Sequence, residues 1–184
     1  MSLRLSGGRR LKSPAGSVAR PTPARVRLAV MNILAAELRG SAWLDLCAGS
    51  GAMACEALQR GAARVAAVDR DRQLAALARA NLEGVQGGLE RPTDVVVHAA
   101  EVLRWLQRCG PSGDGFDLIY TDPPYAAGLH QPITAAVAAG GWLRQGGTLI
   151  WECASDAVPE LPGGWRQRQR RRYGSTTVVL LQPG

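Results

Sequence analysis

From residue 42 onward, short apolar runs alternate with longer stretches in which apolar residues recur every three or four positions. The short runs predict strands at 42–47, 64–69, 94–99, 116–122 and 147–153. The periodic stretches predict helices that start near Ala52 and that cover 71–82, 101–109 and 129–143. This alternation is typical of a doubly wound α/β fold, in which ligands bind beyond the carboxyl ends of the strands.

The two ends of the chain add elements of a different kind. WRQRQRRRY and TTVVLLQ are joined by a short turn at Gly174 and Ser175, which favours an antiparallel hairpin. Before the alternating region, residues 4–13 suit a small basic strand pair or loop. Residues 23–38 suit a helix capped by Thr22, with Pro23 at its first position. A chain of 184 residues has room for one compact core, and we therefore look for one active site.

The segment LDLCAGSGAMACEAL predicts a strand, a glycine turn and the start of a helix. Gly49 and Gly51 let the backbone approach a ligand without a Cβ in the way, as turns that bind phosphates or nucleosides require. Twenty residues after Gly49, the strand RVAAVD ends in Asp69, which is well placed to accept both hydroxyl hydrogens of a ribose. The sequence therefore predicts a cofactor that contains a nucleoside.

Asp45 bears on which cofactor this is. Gly49, Gly51 and Ala54 also satisfy the loose dinucleotide fingerprint. A carboxylate at residue 45, inside the strand just before the glycines, would crowd a pyrophosphate but could accept hydrogen bonds from the ammonium of a methionine moiety. This favours S-adenosylmethionine over NAD. The alternative is a structural aspartate that caps the turn.

Asp122, Pro123, Pro124 and Tyr125 follow the strand FDLIYT, at the same edge of the sheet as the glycine turn. Proline has no N–H to donate, so the two prolines stiffen the turn and keep its carbonyl groups facing outward. Asp122 and the Pro123 carbonyl could accept the two hydrogens of a planar amine, while Tyr125 offers a ring on which a base can stack. The exocyclic amine of a nucleobase fits this arrangement.

The lone pair of such an amine is delocalised into the ring, which makes the nitrogen a poor nucleophile. Acceptors that hold both hydrogens let the nitrogen become pyramidal and stabilise the positive charge that develops during in-line methyl transfer. The product aminium is acidic and loses its proton readily, so Asp122 need not be a strong base and no metal ion is needed. We predict Asp122, Pro123 and Tyr125 as catalytic residues and Pro124 as a substrate contact.

The formal charge of +7 is distributed unevenly along the chain. Residues 1–36 carry seven basic side chains and no acid, and residues 165–184 carry five arginines and no acid. The ten basic residues in between face all 15 acids. All basic residues except Lys12 are arginines, whose planar guanidinium grips phosphate and stacks on bases. Two basic ends and an acidic middle segment favour RNA as the partner. The alternative is that these basic side chains are exposed to solvent and bind no partner.

Other features narrow the setting of the protein. The first ten residues are basic without a following apolar block, and no apolar run approaches the ~18 residues of a membrane span. We therefore expect a soluble, cytoplasmic monomer without a membrane partner. The four cysteines (Cys47, Cys55, Cys109 and Cys153) fall at no metal-ligand spacing, which favours free thiols over a zinc site.

These motifs resemble those of the RsmD family of 16S rRNA guanine-N2 methyltransferases, which are class I S-adenosylmethionine-dependent enzymes. The matching stretches cover nearly the whole chain and include SGGRRLKSP, RPTPARVRLAVMNIL, LDLCAGSGAMACEALQRGAARV, DLIYTDPPY and RRRYGSTTVVLL. The resemblance implies a Rossmann-like fold with a seven-stranded, mostly parallel sheet whose last strand is antiparallel. It divides the chain into a small basic N-terminal extension of hairpin and helix at 1–38, which contacts RNA, and a methyltransferase domain at 39–184.

The resemblance also assigns roles to single residues. The cofactor residues would be Asp45, Ala48, Gly49, Ser50, Gly51, Asp69, Arg70, Ala99 and Ala100. The substrate residues outside the DPPY turn would be Arg20, Thr22, Arg25, Arg27, Arg170 and Arg172. The substrate would be a guanine of 16S ribosomal RNA, as free RNA or in a small-subunit assembly particle.

Three other functions stay open at this point. DPPY turns also serve amino methylation of adenine or cytosine in DNA, although such enzymes normally need a separate target-recognition region, for which this chain leaves little space. An RNA-binding assembly factor could keep the fold without turnover. A nicotinamide-dependent oxidoreductase would use the same glycine turn.

Overall fold

The computed structural model describes residues 3–13, 22–111, 113–124 and 127–184. The strands are β1 (Ala42–Leu46), β2 (Arg64–Asp69), β3 (Asp94–Ala99), β4 (Phe116–Thr121), β5 (Leu143–Ala154), β6 (Trp165–Tyr173) and β7 (Thr176–Pro183). The helices are α1 (Ala24–Ile33), α2 (Ala35–Leu38), α3 (Ala52–Gln59), α4 (Arg72–Gln86), α5 (Val102–Arg108) and α6 (His130–Ala139). None of the helices in these ranges has the length and apolar character that a membrane crossing requires.

The strands form one seven-stranded sheet in the order β3-β2-β1-β4-β5-β7-β6. Strands β1 to β5 run parallel, and β7 is antiparallel to both of its neighbours, β5 and β6. The predicted doubly wound α/β fold with an antiparallel last strand is therefore confirmed, as is the hairpin of β6 and β7. The chain order reverses between β1 and β4, and this switch point is where such sheets open a crevice for ligands.

Both faces of the sheet are apolar. Successive side chains of each central strand point in turn to the two helical layers that cover the sheet. On one face, Trp43 and Tyr120 pack with α1, α3 and α4. On the other face, Leu44 and Ile119 pack with α5 and α6. The carboxyl ends of β1, β2, β4 and β5 are thereby held at fixed positions along one edge of the sheet.

The N-terminal residues that the structure describes share the core of the first face. Leu3, Leu5 and Leu11 are buried in the same cluster as α1, and a short antiparallel bridge joins Arg4 to Arg10. The backbone N–H and hydroxyl of Ser6 donate to the Glu56 carboxylate of α3 at 2.8 and 2.7 Å. This segment is thus fastened to the sheet layer, and the division of the chain at residue 38 stays a prediction.

The start of α1 differs from the predicted one. The capping residue is Pro23, the helix begins at Ala24, and no side chain caps its first turn. Thr22 lies one position too early to cap it, and its hydroxyl donates to Asp122 instead. The predicted helix also divides at Leu34, where α1 ends and α2 begins.

Candidate active site

The candidate active site lies where β1 and β4 end side by side. Leu46, the last residue of β1, is in register with Val68 of β2 and with Thr121 of β4. The residues that follow these strands therefore meet at one level of the sheet. The backbone N–H of Asp122 faces the Leu46 carbonyl at 3.5 Å, which brings the DPPY turn next to the glycine turn. The sequence-based placement of both motifs at one edge thus agrees with the structure.

The glycine turn is tight and uses backbone conformations that L-residues rarely adopt. Gly49 and Gly51 have φ values of 55° and 76°, and Cys47 has φ 64° although it carries a side chain. The N–H of Ala48 donates to the Val68 carbonyl at 3.0 Å, and the N–H of Gly51 donates to the Ala48 carbonyl at 2.8 Å. Strain of this kind in a non-glycine residue persists only where surrounding contacts impose it, and it concentrates at functional sites.

The two glycines serve different purposes in this turn. A Cβ at Gly51 would lie 3.0 Å from the Cβ of Ala78 in α4, so the helix packs directly on the turn. A Cβ at Gly49 would meet no atom within 4 Å. Gly51 is therefore required for packing, while Gly49 leaves open space in which a ligand can approach the backbone. Ser50, between them, is buried.

Asp69, the last residue of β2, holds the glycine turn. Its carboxylate accepts from the N–H of Gly49 at 2.7 Å and from the N–H of Asp71 at 2.9 Å. Asp69 is half-buried, whereas neighbouring Arg70 is exposed. The carboxylate has lone pairs left for a further donor.

Asp45 lies beneath the turn and is only 1% exposed. Its Oδ2 accepts from the N–H of Ala54 in the first turn of α3 at 3.0 Å. Burial raises the pKa of Asp45 to about 8, and the nearby Asp69 and Glu152 charges add to this, against the lowering effect of the Ala54 N–H. The structure thus gives Asp45 the helix-holding role of the structural alternative, and a contact with a cofactor remains a prediction.

The end of β3 contributes backbone rather than polar side chains. Ala99 is exposed and Ala100 half-buried, and the N–H of Ala100 donates to the Asp69 carbonyl at 2.8 Å. The next residue, Glu101, caps α5 by accepting from the N–H groups of Leu103 and Arg104. An adenine near this strand end would therefore be held chiefly by apolar contact and backbone groups.

Asp122 and the prolines after it follow the end of β4. Asp122 is half-buried, Pro123 is buried and Pro124 is exposed, with the Pro124 carbonyl accepting from the N–H of Ala127 at 2.9 Å. Tyr125 lies outside the described residues. The Oδ2 of Asp122 accepts from the Thr22 hydroxyl at 3.3 Å. Burial and the nearby Glu152 raise the pKa of Asp122 to about 8, while the Thr22 hydrogen bond acts to lower it.

Two polar residues behind Asp122 were not predicted from the sequence. Glu152 of β5 is 1% exposed, and the hydroxyl of the fully buried Tyr120 donates to its Oε2. Burial raises the pKa of Glu152, and burial with the nearby Glu152 charge raises that of Tyr120 well above its usual value. A lone acid inside the apolar strand LIWEC is a signal that could have identified Glu152, because a buried carboxyl group needs hydrogen-bonding partners.

The five predicted RNA-contacting residues that are described do not all lie on the surface. Arg25, Arg170 and Arg172 are exposed, whereas Thr22 is half-buried. Arg27 is 3% exposed, and its guanidinium donates to the carbonyls of Thr22 and Arg4 at 2.8 and 2.6 Å. Arg27 therefore holds the N-terminal segment in place, and its burial argues against the predicted RNA contact, which stays untested. Arg20 lies outside the described residues.

The exposed arginines of the two chain ends lie close together. Nη2 of Arg25 donates to the carbonyl of Tyr173, the last residue of β6, at 3.3 Å. Ser155, directly after β5, donates its N–H to the carbonyl of Ser175 at 2.9 Å, so the β6–β7 turn lies at the carboxyl end of β5. The two acid-free segments thus meet on the edge of the sheet that carries Asp122.

Metal-binding side chains are not grouped at this site. Within the described ranges, no three His, Cys, Asp or Glu residues lie close enough to share an ion. The cysteines are free thiols, of which Cys55 and Cys153 are buried, Cys47 is half-buried and Cys109 is exposed. The sequence-based expectation that the reaction needs no metal stays a prediction.

Comparisons with known proteins agree with this arrangement. YlbH of Bacillus subtilis (strain 168) is 30% identical over 95% of this chain and 94% of its own length. Ribosomal RNA small subunit methyltransferase D of Escherichia coli (strain K12) is 29% identical over 95% of this chain and 85% of its own length. The solved structure of yhhF from Escherichia coli matches with a TM-score of 0.83 at 28% identity, covering 100% of this chain and 98% of that one. A family model described as conserved hypothetical protein 95 matches residues 5–182, and the chain therefore belongs to that family, the RsmD family of methyltransferases.

Proposed function

We propose that this protein transfers the methyl group of S-adenosylmethionine to the exocyclic N2 amine of a guanine in 16S ribosomal RNA. The observation that carries the proposal is the position of Asp122 at the β1–β4 switch point, next to the end of β1 from which the glycine turn begins. The relatives named ribosomal RNA small subunit methyltransferase D support the choice of substrate. Membership of a methyltransferase family argues against a nicotinamide-dependent oxidoreductase.

The residues present fit S-adenosylmethionine, because the open space beside Gly49 is bordered by a carboxylate that has lone pairs to spare. Asp69 would hold the ribose hydroxyls, the Ala48–Gly51 turn would hold the methionine end, and Ala99 and Ala100 would lie along the adenine. When bound, this cofactor supplies a methyl group on a positively charged sulfur. Asp45 and Arg70 complete the proposed set, Asp45 from beneath the turn.

The chain's own contribution to the reaction is made by the DPPY turn. Asp122 and the Pro123 carbonyl accept the two hydrogens of the guanine amine, and Tyr125 and Pro124 contact the base. These acceptors let the nitrogen become pyramidal, so that its lone pair is no longer delocalised into the ring, and they stabilise the charge that develops on the nitrogen. The proton leaves the methylated amine afterwards, to Asp122 or to water. Because the target base must leave its stack at a cost of roughly a few kcal/mol, an unpaired guanine is the natural substrate.

The direct test supplies S-adenosylmethionine with a labelled methyl group and compares two acceptors. We expect transfer to small-subunit RNA isolated from a strain that lacks the protein, and none to duplex DNA. Mass spectrometry of the RNA should place the label on N2 of one guanine. Transfer to DNA would favour the DNA amino-methyltransferase alternative, and absence of any transfer to free RNA or to assembly particles would favour the assembly factor.

The arginines that we propose to contact RNA can be tested through salt dependence. Arg170 and Arg172 lie two residues apart on β6, opposite Val179 and Thr177, and so share one face of the sheet. Each phosphate contact that is removed should lower the slope of log affinity against log salt by about 1. The double variant Arg170→Ala/Arg172→Ala is therefore expected to bind RNA more weakly and with a shallower slope, measured by filter binding at several salt concentrations.

Two other arginines make this test specific. Arg168 lies on the same strand but pairs with Glu37 of α2 at 2.6 Å, so it holds the hairpin against α2. Arg108 is exposed at the end of α5 and serves as the control, because α5 ends at the opposite edge of the sheet. A slope that falls equally in Arg108→Ala would show that the protein's total charge, and not this surface, attracts the RNA.

A further inference from the structure

The Thr22 hydroxyl hydrogen-bonds to the candidate catalytic carboxylate, that of Asp122, although 100 residues separate the two in the sequence. It donates to Oδ2 of Asp122 at 3.3 Å, and Thr22 is half-buried there. The first turn of α1 makes no use of this hydroxyl, because Pro23 occupies the capping position and no side chain caps the helix. The hydrogen bond to Asp122 therefore explains where the Thr22 side chain lies.

The backbone of Thr22 is held independently of Asp122. The buried guanidinium of Arg27 donates to the Thr22 carbonyl at 2.8 Å, and the Pro23 carbonyl accepts from the N–H of Val26 at 2.9 Å. The same guanidinium donates to the carbonyl of Arg4 at 2.6 Å, which ties this point to the N-terminal strand bridge. The hydroxyl is thus presented to Asp122 from a fixed segment, with one side-chain torsion left to rotate.

Glu152 is a second buried carboxyl group near Asp122, and its charge adds to burial in raising the pKa of Asp122. Glu152 accepts from the Tyr120 hydroxyl, whereas the Thr22 hydroxyl donates its one proton to Asp122. Two neighbouring buried carboxyl groups do not both ionise readily. A donor on Asp122 therefore favours the charge on Asp122 over the charge on Glu152.

We propose that Thr22 is a positioning residue for the methyl transfer, whose hydroxyl donates to Asp122 and fixes the carboxylate that accepts from the guanine amine. This inference rests on the proposed function. It changes the role of the N-terminal segment, since the segment that carries Arg25 to the RNA surface also orders the catalytic carboxylate. Docking of this segment and competence of the site are then linked through one side chain.

The test compares Thr22→Val, which removes the hydroxyl at equal size, with Thr22→Ser, which keeps it. For Thr22→Val we expect kcat to fall roughly 10- to 100-fold, the size expected for one hydrogen bond to a charged group, with KM for RNA and affinity for S-adenosylhomocysteine unchanged. Thr22→Ser should stay within about threefold of the wild type. Thr93→Val is the matched control. Thr93 is also half-buried, and this variant also loses one hydrogen bond of the hydroxyl, which accepts from Gln86 at 3.0 Å.

The pH profile gives a readout that a merely structural role would not move. A hydroxyl that donates to ionised Asp122 lowers the pKa of that group, so Thr22→Val should shift the rising limb of kcat to higher pH. The charged and titratable groups that interact with Asp122 or Glu152 lie on four elements. They are Glu152 and Cys153 on β5, Asp45 on β1 with Cys47 after it, Tyr120 on β4, and Arg27 on α1. All of them are unchanged in the variant, so a shift is caused by the lost hydroxyl.

The outcomes separate this inference from the proposed function. Wild-type protein that methylates no RNA guanine would overturn the proposed function and, with it, the role of Thr22 in that reaction. Active wild-type protein with a Thr22→Val variant of equal kcat and equal pH profile would overturn the positioning role alone. A Thr22→Val variant that changes only KM for RNA would do the same, because Thr22 would then be an RNA contact. Thermal melting of each variant verifies that it is folded.

Discussion

Asp122→Asn is expected to lower methyl transfer by about 10²- to 10³-fold while affinity for S-adenosylhomocysteine stays within about twofold. The amide has the size of the carboxylate but lacks its charge, so it stabilises the developing positive charge on the guanine nitrogen far less. The residues that we propose to hold the cofactor, among them Gly49, Asp69 and Ala99, follow or end other strands, and the substitution leaves them in place. Single-turnover transfer of labelled methyl to undermethylated RNA measures the first effect, and calorimetry measures the second.

The control for this experiment is Asp114→Asn, the same change at the opposite end of β4. Asp114 is exposed and precedes the strand, so its loss should leave transfer unchanged.

Asp122→Asn is not expected to lose folding stability as the pH rises. An acid whose folded pKa is raised from 3.8 to about 8 binds more protons in the folded state, so its ionisation removes stability as pH rises through that interval. Full methyl transfer by Asp122→Asn would show that a different residue is catalytic.

Arg27→Ala is expected to destabilise the protein by about 3–5 kcal/mol, the range for removing one partner of a buried charged network. The substitution removes one of two guanidinium groups beside Glu56, which is 1% exposed: the Nε of Arg27 lies 3.8 Å from its Oε1, and the Nε of Arg60 lies 3.9 Å from its Oε2. It also leaves the carbonyls of Thr22 and Arg4 without their donors. Urea denaturation followed by circular dichroism gives the change in the free energy of unfolding.

Arg25→Ala is the matched control for Arg27, two positions away on the same helix. Arg25 is exposed, so its removal should change the free energy of unfolding by no more than about 0.5 kcal/mol. Comparing the two variants distinguishes an arginine that stabilises the fold from one that is available for RNA binding within the same motif. If Arg27→Ala kept the stability of the wild type and only weakened RNA binding, Arg27 would be an RNA contact and would not stabilise the N-terminal segment.

The opposite environments of Arg25 and Arg27 illustrate a limit of reading charge along the chain. Both belong to the stretch RVR, and their charge gave no means to tell them apart. The signal was in the spacing: Val30, Met31 and Leu34 lie three, four and seven residues after Arg27, all fully buried, so Arg27 shares their face of α1. Helical periodicity would have predicted a buried arginine, and a buried arginine needs partners that only the fold supplies.

The amino-acid sequence by itself determined the strands, the helices and the edge of the sheet that carries the site. Side-chain periodicity and turn residues act over a few positions, so the ends of β1, β2 and β4 could be located, and with them Asp69 and Asp122. Parallel strands all end at one edge, which brings residues far apart in the chain together without further information.

The tertiary structure alone decided which groups surround Asp122. Thr22, Glu152 and Tyr120 come from three separate parts of the chain, and no local pattern relates them. Their contacts depend on the register between β4 and β5 and on how the segment before α1 packs over the strand ends. Hydrogen bonds among buried polar groups are short-range and directional, so they exist only once the whole core has brought the partners within about 3 Å of each other.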